Sequence, residues 1–231
     1  YRYYQLEQIQ MVKLIDTLRN MKIPLKEIKA LVQKRNIESI TQLFSSQERQ
    51  LNSELRKVCD ALTLIGTLRF LLQDAIPRNE QDIVFEYRES RRITLGPIND
   101  FQGEEDYYRG FAKFYRFATK FKLNKSYPIG GYFNSFEDFC ASPSRPTRFF
   151  LIDPDGRDKS PAGQYLLTYQ RGGYGSVGEL PARLKTFAEN QALDLKGPIY
   201  QIYPINELHA MSSDDYLLET SIFLKPQRIR G

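Results

Sequence analysis

Leu6, Ile9, Val12, Ile15 and Leu18 recur at three-residue steps, with Met11 and Leu14 widening the stripe. That spacing is one face of a helix over residues 5–20. Met21-Lys22-Ile23-Pro24 interrupts it, and a proline just before Leu25-Lys26-Glu27-Ile28 suits the first turn of a second, short helix. Leu25, Ile28, Leu31 and Val32 give that helix its own apolar side. Two short amphipathic helices cannot bury both faces on each other, so a third partner is expected. Residues 38–75 contain no proline and a single glycine, Gly66. Within them Leu51, Leu55, Val58, Leu62 and Ile65, then Leu68 and Leu72, keep a four-three rhythm that Arg69 weakens where it holds a seam position. The rhythm predicts a coiled-coil rod joining two chains, against the plainer alternative of a long helix packed on its own domain.

Pro77-Arg78-Asn79-Glu80 closes that helix, and the pattern then shifts to short apolar runs. Strands are expected at 83–87, 92–95, 128–133, 148–152, 164–169, 199–205 and 216–224. A helix over 104–122 is dense in aromatics: Tyr107, Tyr108, Phe111, Phe114, Tyr115, Phe117 and Phe121. Gly172-Gly173-Tyr174-Gly175 turns into a second helix at roughly 178–192. The order suggests two copies of one small α+β unit, with a groove between their helices. A groove on an internal pseudo-symmetry axis is a natural ligand site. The fold class expected is therefore α+β: N-terminal helices, a long dimerisation helix, then a two-fold pseudo-symmetric domain, divided at 1–36, 37–78 and 79–231.

Charge sharpens this division. Residues 1–35 hold eight Lys/Arg against three acids, while the remainder is balanced, so the net +5 sits wholly at one end. A basic end suits a polyanion, and equally a solvated helix face. Cys59 and Cys140 form neither a disulfide framework nor a metal-ligand spacing. No apolar run reaches the length of a membrane span, and no secretory signal is visible, so a bacterial cytoplasm is expected. No cofactor or metal is implied. His209 stands alone in a polar stretch, and Asp153-Pro154-Asp155-Gly156-Arg157-Asp158 lacks the downstream Glu of a calcium loop. The glycines at 172–178 lack the Lys-Ser/Thr of a phosphate loop.

Tyr1-Arg2-Tyr3-Tyr4-x-Leu6-Glu7-Gln8, Ile15-x-x-Leu18-Arg19 and Pro24-Leu25-x-Glu27-Ile28 closely resemble the second half of the DNA-binding head of MerR-family regulators. The resemblance implies that Arg2 and Tyr3 end a β-wing and contact DNA phosphates, which position a protein without reading sequence. It makes residues 1–36 the C-terminal half of a winged-helix head lacking its helix-turn-helix. It makes 38–75 the family's antiparallel dimer helix. Alone, such a chain is expected to bind operator DNA weakly. Gly163-x-Tyr165, Gly172-Gly173-Tyr174, Gly197-Pro198-Ile199-Tyr200 and Tyr216-Leu217-Leu218-Glu219-x-Ser221-Ile222 resemble the gyrase-inhibitor-like effector domain of multidrug-sensing members.

That second resemblance implies a homodimeric activator of efflux genes that binds lipophilic, aromatic, often cationic molecules, meets promoter DNA, and affects RNA polymerase indirectly. A lipophilic cation needs flat aromatic faces and a balancing acid. Tyr127, Tyr203 and Tyr216 match pocket positions of the relatives; Phe111 or Tyr108 stands for the aromatic of the first helix, and Tyr174 lies at the groove's turn. Gln201 stands where some relatives place their cation-pairing glutamate. Glu219 is then the remaining candidate counter-charge. Phe114, Phe117 and Phe121 are expected in the core. Two other readings stay open: a small-molecule hydrolase using Glu219 with Tyr127 or Tyr216, and a module that binds a protein through the groove.

Overall fold

The computed structural model describes residues 5–33, 36–101 and 106–225, the side chains of residues 106 and 107 excepted. The chain divides into two compact units, Tyr1–Thr63 and Leu64–Gly231, with one helix contributing to both. Arg2 and Tyr3 lie outside the described residues.

In the first unit, α1 (Leu6–Asn20) is capped where the Gln5 backbone N–H donates to Gln8 Oε1 at 3.0 Å. It ends at Asn20; Lys22, with a φ of 59°, turns the chain, and Pro24 precedes α2 (Leu25–Gln33). Leu18, Ile23 and Ile28 are buried together, with Ile15, Leu31, Val32 and Leu43 around them. Leu43 belongs to α3 (Ile37–Ala75), so α3 supplies the third partner that the two short helices require. Gln47 of α3, also buried, donates to the Lys22 carbonyl at 3.4 Å. Only the C-terminal half of the predicted α1 face is covered: Leu6, Ile9 and Val12 are exposed. The physical reason is length, since α2 has 9 residues against 15 and packs on the last turn of α1.

The second unit is built on one eight-stranded antiparallel sheet. Its strands are β1 (Ile83–Arg88), β2 (Arg92–Ile98), β3 (Ile129–Phe133), β4 (Arg148–Leu151), β5 (Asp158–Lys159), β6 (Gly163–Arg171), β7 (Ile199–Ile205) and β8 (Leu217–Phe223). They lie in the order β1-β6-β8-β7-β3-β4-β2-β5. Exchanging each strand of the first four with its counterpart in the last four returns the same order reversed. The pseudo-two-fold axis therefore passes between β3 and β7, where Gly131 pairs with Gln201 and Tyr132 with Tyr200. The same exchange relates α4 (Asp106–Lys120), which follows β2, to α6 (Leu180–Asn190), which follows β6. The two-copy expectation becomes one continuous sheet joined across this axis.

Strand alternation assigns the two faces. Phe149 and Leu151 pack with Phe114 of α4, and Leu166, Ile199 and Ile222 with Leu180 and Leu184 of α6. Cross-strand partners connect these positions through Gly131, Gln201, Thr220 and Thr168, so α4 and α6 share one face. The intervening residues Phe150, Ile152, Tyr165, Leu167, Tyr169 and Ile202 turn the other way and pack with Leu71 and Ala75 at the end of α3. Gly96 lets α4 lie close, since a Cβ there would stand 2.4 Å from the Phe114 ring. Of the aromatics expected in the core, Phe114 is buried and Phe117 packs beside it, whereas Phe121 is exposed. A short α5 (Phe136–Ala141) was not expected; Ser135 caps it by accepting the Asp138 N–H at 3.0 Å. Among the described residues no helix is long and apolar enough to cross a membrane.

Candidate functional site

A cavity of about 1120 Å³ opens where the two halves meet, slightly larger than the range usual for small-molecule sites. Gly131 and Gln201 lie on its floor beside the pseudo-axis. Gly131 carries no side chain there, and a Cβ at this position would stand 2.9 Å from Pro146. One wall is aromatic: Tyr108, Phe111 and Tyr115 of α4, with Tyr127 and Phe149 behind them. Phe111 meets Tyr115 at 5.0 Å with the rings tilted by 53°, and lies edge-on to Phe149 at 5.2 Å. The facing wall carries Tyr174 and Tyr203, whose centroids are 4.7 Å apart and whose planes are inclined at 63°. The Tyr203 hydroxyl donates to the Gly173 carbonyl and accepts the Gly175 N–H, both at 3.0 Å, and so pins the glycine turn. Leu68 and Leu71 of α3 complete the lining.

Six of the sequence-derived residues thus come together: Tyr108, Phe111, Tyr127, Tyr174, Gln201 and Tyr203. Tyr216 does not line the cavity; its ring sits behind Tyr174 at 5.7 Å and supports it. Glu219 requires a larger correction. In β8 it pairs across to Tyr169 and Ile202, both on the face turned towards the end of α3, while its neighbour Thr220 shares the face of Gln201. Glu219 therefore points away from the groove floor and is only 2% exposed.

Both oxygens of Glu219 are occupied by Arg88 of β1, Nη1 at 2.5 Å and Nη2 at 3.1 Å. Arg88 also bonds Asp74 of α3 at 2.9 Å and Glu86 at 3.2 Å, and Arg78 joins Asp74 to Glu86. Burial alone would lower the Arg88 pKa, but Glu219, Glu86 and Asp74 together raise it and keep the guanidinium charged. The acid expected to balance a bound cation is balanced from within. The hydrolase reading loses its carboxylate for the same reason. Tyr169, fully buried on this face, has its hydroxyl pushed up by burial and carries Arg78 over its ring at 5.8 Å.

One lining residue carries no mark in the sequence. Glu207, in the loop after β7, is the single carboxylate among the described lining residues, and it accepts the Tyr174 hydroxyl at 2.5 Å. Burial and this bond push the Tyr174 hydroxyl up. The polar stretch 206–215 had no periodicity to mark it. Among the described residues no cluster of His, Cys, Asp and Glu could hold a metal, and both cysteines are free and exposed.

The chain is 22% identical over 213 residues to the multidrug-efflux transporter 2 regulator of Bacillus subtilis strain 168, covering 90% of this chain and 77% of that protein. The regulator resemblance read from the sequence is borne out. No family model matches. Among solved structures, EcmrR in its cryo-EM complex with DNA is similar at a TM-score of 0.43, with 14% identity, 96% of this chain and 85% of that one. A hydrolase from Listeria innocua gives 0.41 at 11% identity, covering 66% of this chain and 96% of that one. SAV2435 bound to tetraphenylphosphonium gives 0.38 at 10% identity, covering 63% and 95% respectively.

Proposed function

We propose that the chain is the dimerising and effector-sensing part of a ligand-responsive transcriptional activator, whose central cavity takes lipophilic aromatic small molecules and whose targets include multidrug-resistance or efflux genes. One observation carries this reading. Leu68 and Leu71, which help wall the cavity, belong to the same helix as Leu43 and Gln47, which complete the α1–α2 core. A molecule entering the cavity therefore touches the element that reaches the basic N-terminal helices. A ligand need only prefer one arrangement of that helix to shift a population of regulators.

The seam of α3 supports the dimer. Leu55, Val58, Leu62 and Ile65 are 55–63% exposed and follow one another in a heptad row along α3. A heptad row of this kind buries itself against a second copy. Promoter DNA meets the basic end, with Arg2 and Tyr3 on phosphates, and polymerase responds to the deformed promoter.

The test is titration of a planar lipophilic dye into the whole chain, followed by dye fluorescence polarisation. Saturable micromolar binding, lost when Ser126→Trp and Ser176→Trp together obstruct the exposed lining, supports the reading. Dye binding indifferent to this double variant contradicts it.

A further inference from the structure

The charges around the cavity are unequal, and they bear on what the sensor site proposed above accepts. Its described lining contains two cationic side chains, Lys125 and Arg145, and one carboxylate, Glu207. Glu207 is exposed at the rim and already engaged by the Tyr174 hydroxyl. Gln201, on the floor and 8% exposed, brings an amide without charge, and its Nε2 donates to Thr220 Oγ1 at 3.1 Å. Glu219 faces the other way with both oxygens on Arg88. Among the described lining residues, one negative charge therefore faces two positive ones.

Arg145 is the opposite case. It is half-buried, and no acidic partner reaches its guanidinium among the described residues. A guanidinium that lines the cavity without an acidic partner keeps its planar fork of donors available to a bound anion. The segment presenting it is fixed on both sides. Pro143 and Pro146 bracket it, and the Arg145 N–H closes a turn on the Ser142 carbonyl at 2.9 Å. The Pro146 carbonyl accepts Asn99 Nδ2 at 2.9 Å, and Ser144 Oγ donates to the Gly175 carbonyl at 2.6 Å. Lys125, on the loop that leads to Tyr127, donates to Thr119 Oγ1 at 3.1 Å and lies 6.0 Å from the Tyr115 ring centroid.

We infer that the cavity's ligand is an aromatic anion, a planar ring system bearing a carboxylate or a group of like geometry. The rings lie between the α4 aromatics and the Tyr174–Tyr203 pair. The anionic group sits on the Arg145 guanidinium, whose planar fork matches two carboxylate oxygens, and Lys125 adds a second positive charge. The walls supply affinity to any flat molecule, and Arg145 discriminates among them.

The experiment compares three probes of one ring system on the whole chain by fluorescence anisotropy: pyrenecarboxylate, its methyl ester and pyrenemethylammonium. The expected order is carboxylate, then ester, then ammonium, with the first step about ten-fold or more, the size of one charge-assisted hydrogen bond. Arg145→Gln removes most of the carboxylate's advantage over the ester, the remainder being due to Lys125, and changes the ester little. Lys125→Gln gives a smaller loss in the same direction. Ammonium binding tightest, equal affinities, or an equal loss of all three probes in Arg145→Gln overturns the inference while leaving the aromatic sensor intact. Failure of all three to bind removes the sensor reading itself.

Discussion

The residue whose setting matters most is Arg88, because it neutralises Glu219 and ties β1, β8 and the end of α3 together. Removing one member of a buried ion pair leaves the other uncompensated, which costs roughly 3–5 kcal/mol. Arg88→Met is therefore expected to lower the urea midpoint of unfolding sharply. Pairing it with Glu219→Leu should recover part of the loss, since two apolar side chains can replace a buried pair. Glu219→Gln alone is expected to destabilise the fold while leaving the affinity for a neutral aromatic ligand unchanged. Calorimetry with such a ligand checks this, and selective loss of binding would restore Glu219 to the site. The aromatic residues of the cavity were legible through the resemblance, which matched Tyr127 and Tyr203 to pocket positions of the relatives and set Tyr174 at the groove's turn. The orientation of Glu219 was not, since alternation yields a face only once a cross-strand register is known. The partner of Glu219 lies 131 positions away, a distance over which no local pattern reports.

At the level of elements, burial of tyrosines on the sheet has a pH signature. Burial pushes the Tyr165 hydroxyl up to about 12 from 10.0, and it donates to the Pro161 carbonyl at 2.7 Å. Tyr200 and Tyr169 shift upward for the same reason. Their folded pKa values lie above the unfolded ones, so the folded state favours the neutral phenol. This stabilisation is complete below pH 10.0 and disappears as the pH rises through about 12. Chemical denaturation followed between those limits should show a steady fall in stability, smaller in Tyr165→Phe. The α3 seam makes a separate prediction: Leu62→Glu should convert a dimer into a monomer by light scattering, because an unpaired carboxylate at a seam position opposes burial. An unaltered mass in Leu62→Glu would place the dimer interface elsewhere. Long elements were readable from periodicity, α3 to within a residue of its start. The six residues of α5 and the two of β5 were not, being too short to show a period. Ser135 ahead of Asp138 was the one local signal for α5.

For the whole molecule, pseudo-symmetry explains why a cavity exists at all. Two similar units share one sheet, their helices lie on one face, and the junction between β3 and β7 falls between those helices. The repeated order of strands and helices already pointed to this arrangement, although the halves share little sequence. What the order could not show was that the end of α3 would cover the reverse face and also wall the cavity. Under the proposed function, that dual contact is the route by which a bound ligand acts on α3. It predicts that an aromatic ligand slows amide hydrogen exchange in Leu68–Ala75 as well as in the loops around Tyr127 and Tyr203, since ordering of a contacted helix raises its local opening free energy. Hydrogen–deuterium exchange of the whole chain with and without saturating aromatic ligand is the most direct measurement. Protection at the cavity loops together with the last two turns of α3 is the predicted result. Protection confined to the loops, with α3 unchanged, would contradict a sensor that acts through this helix.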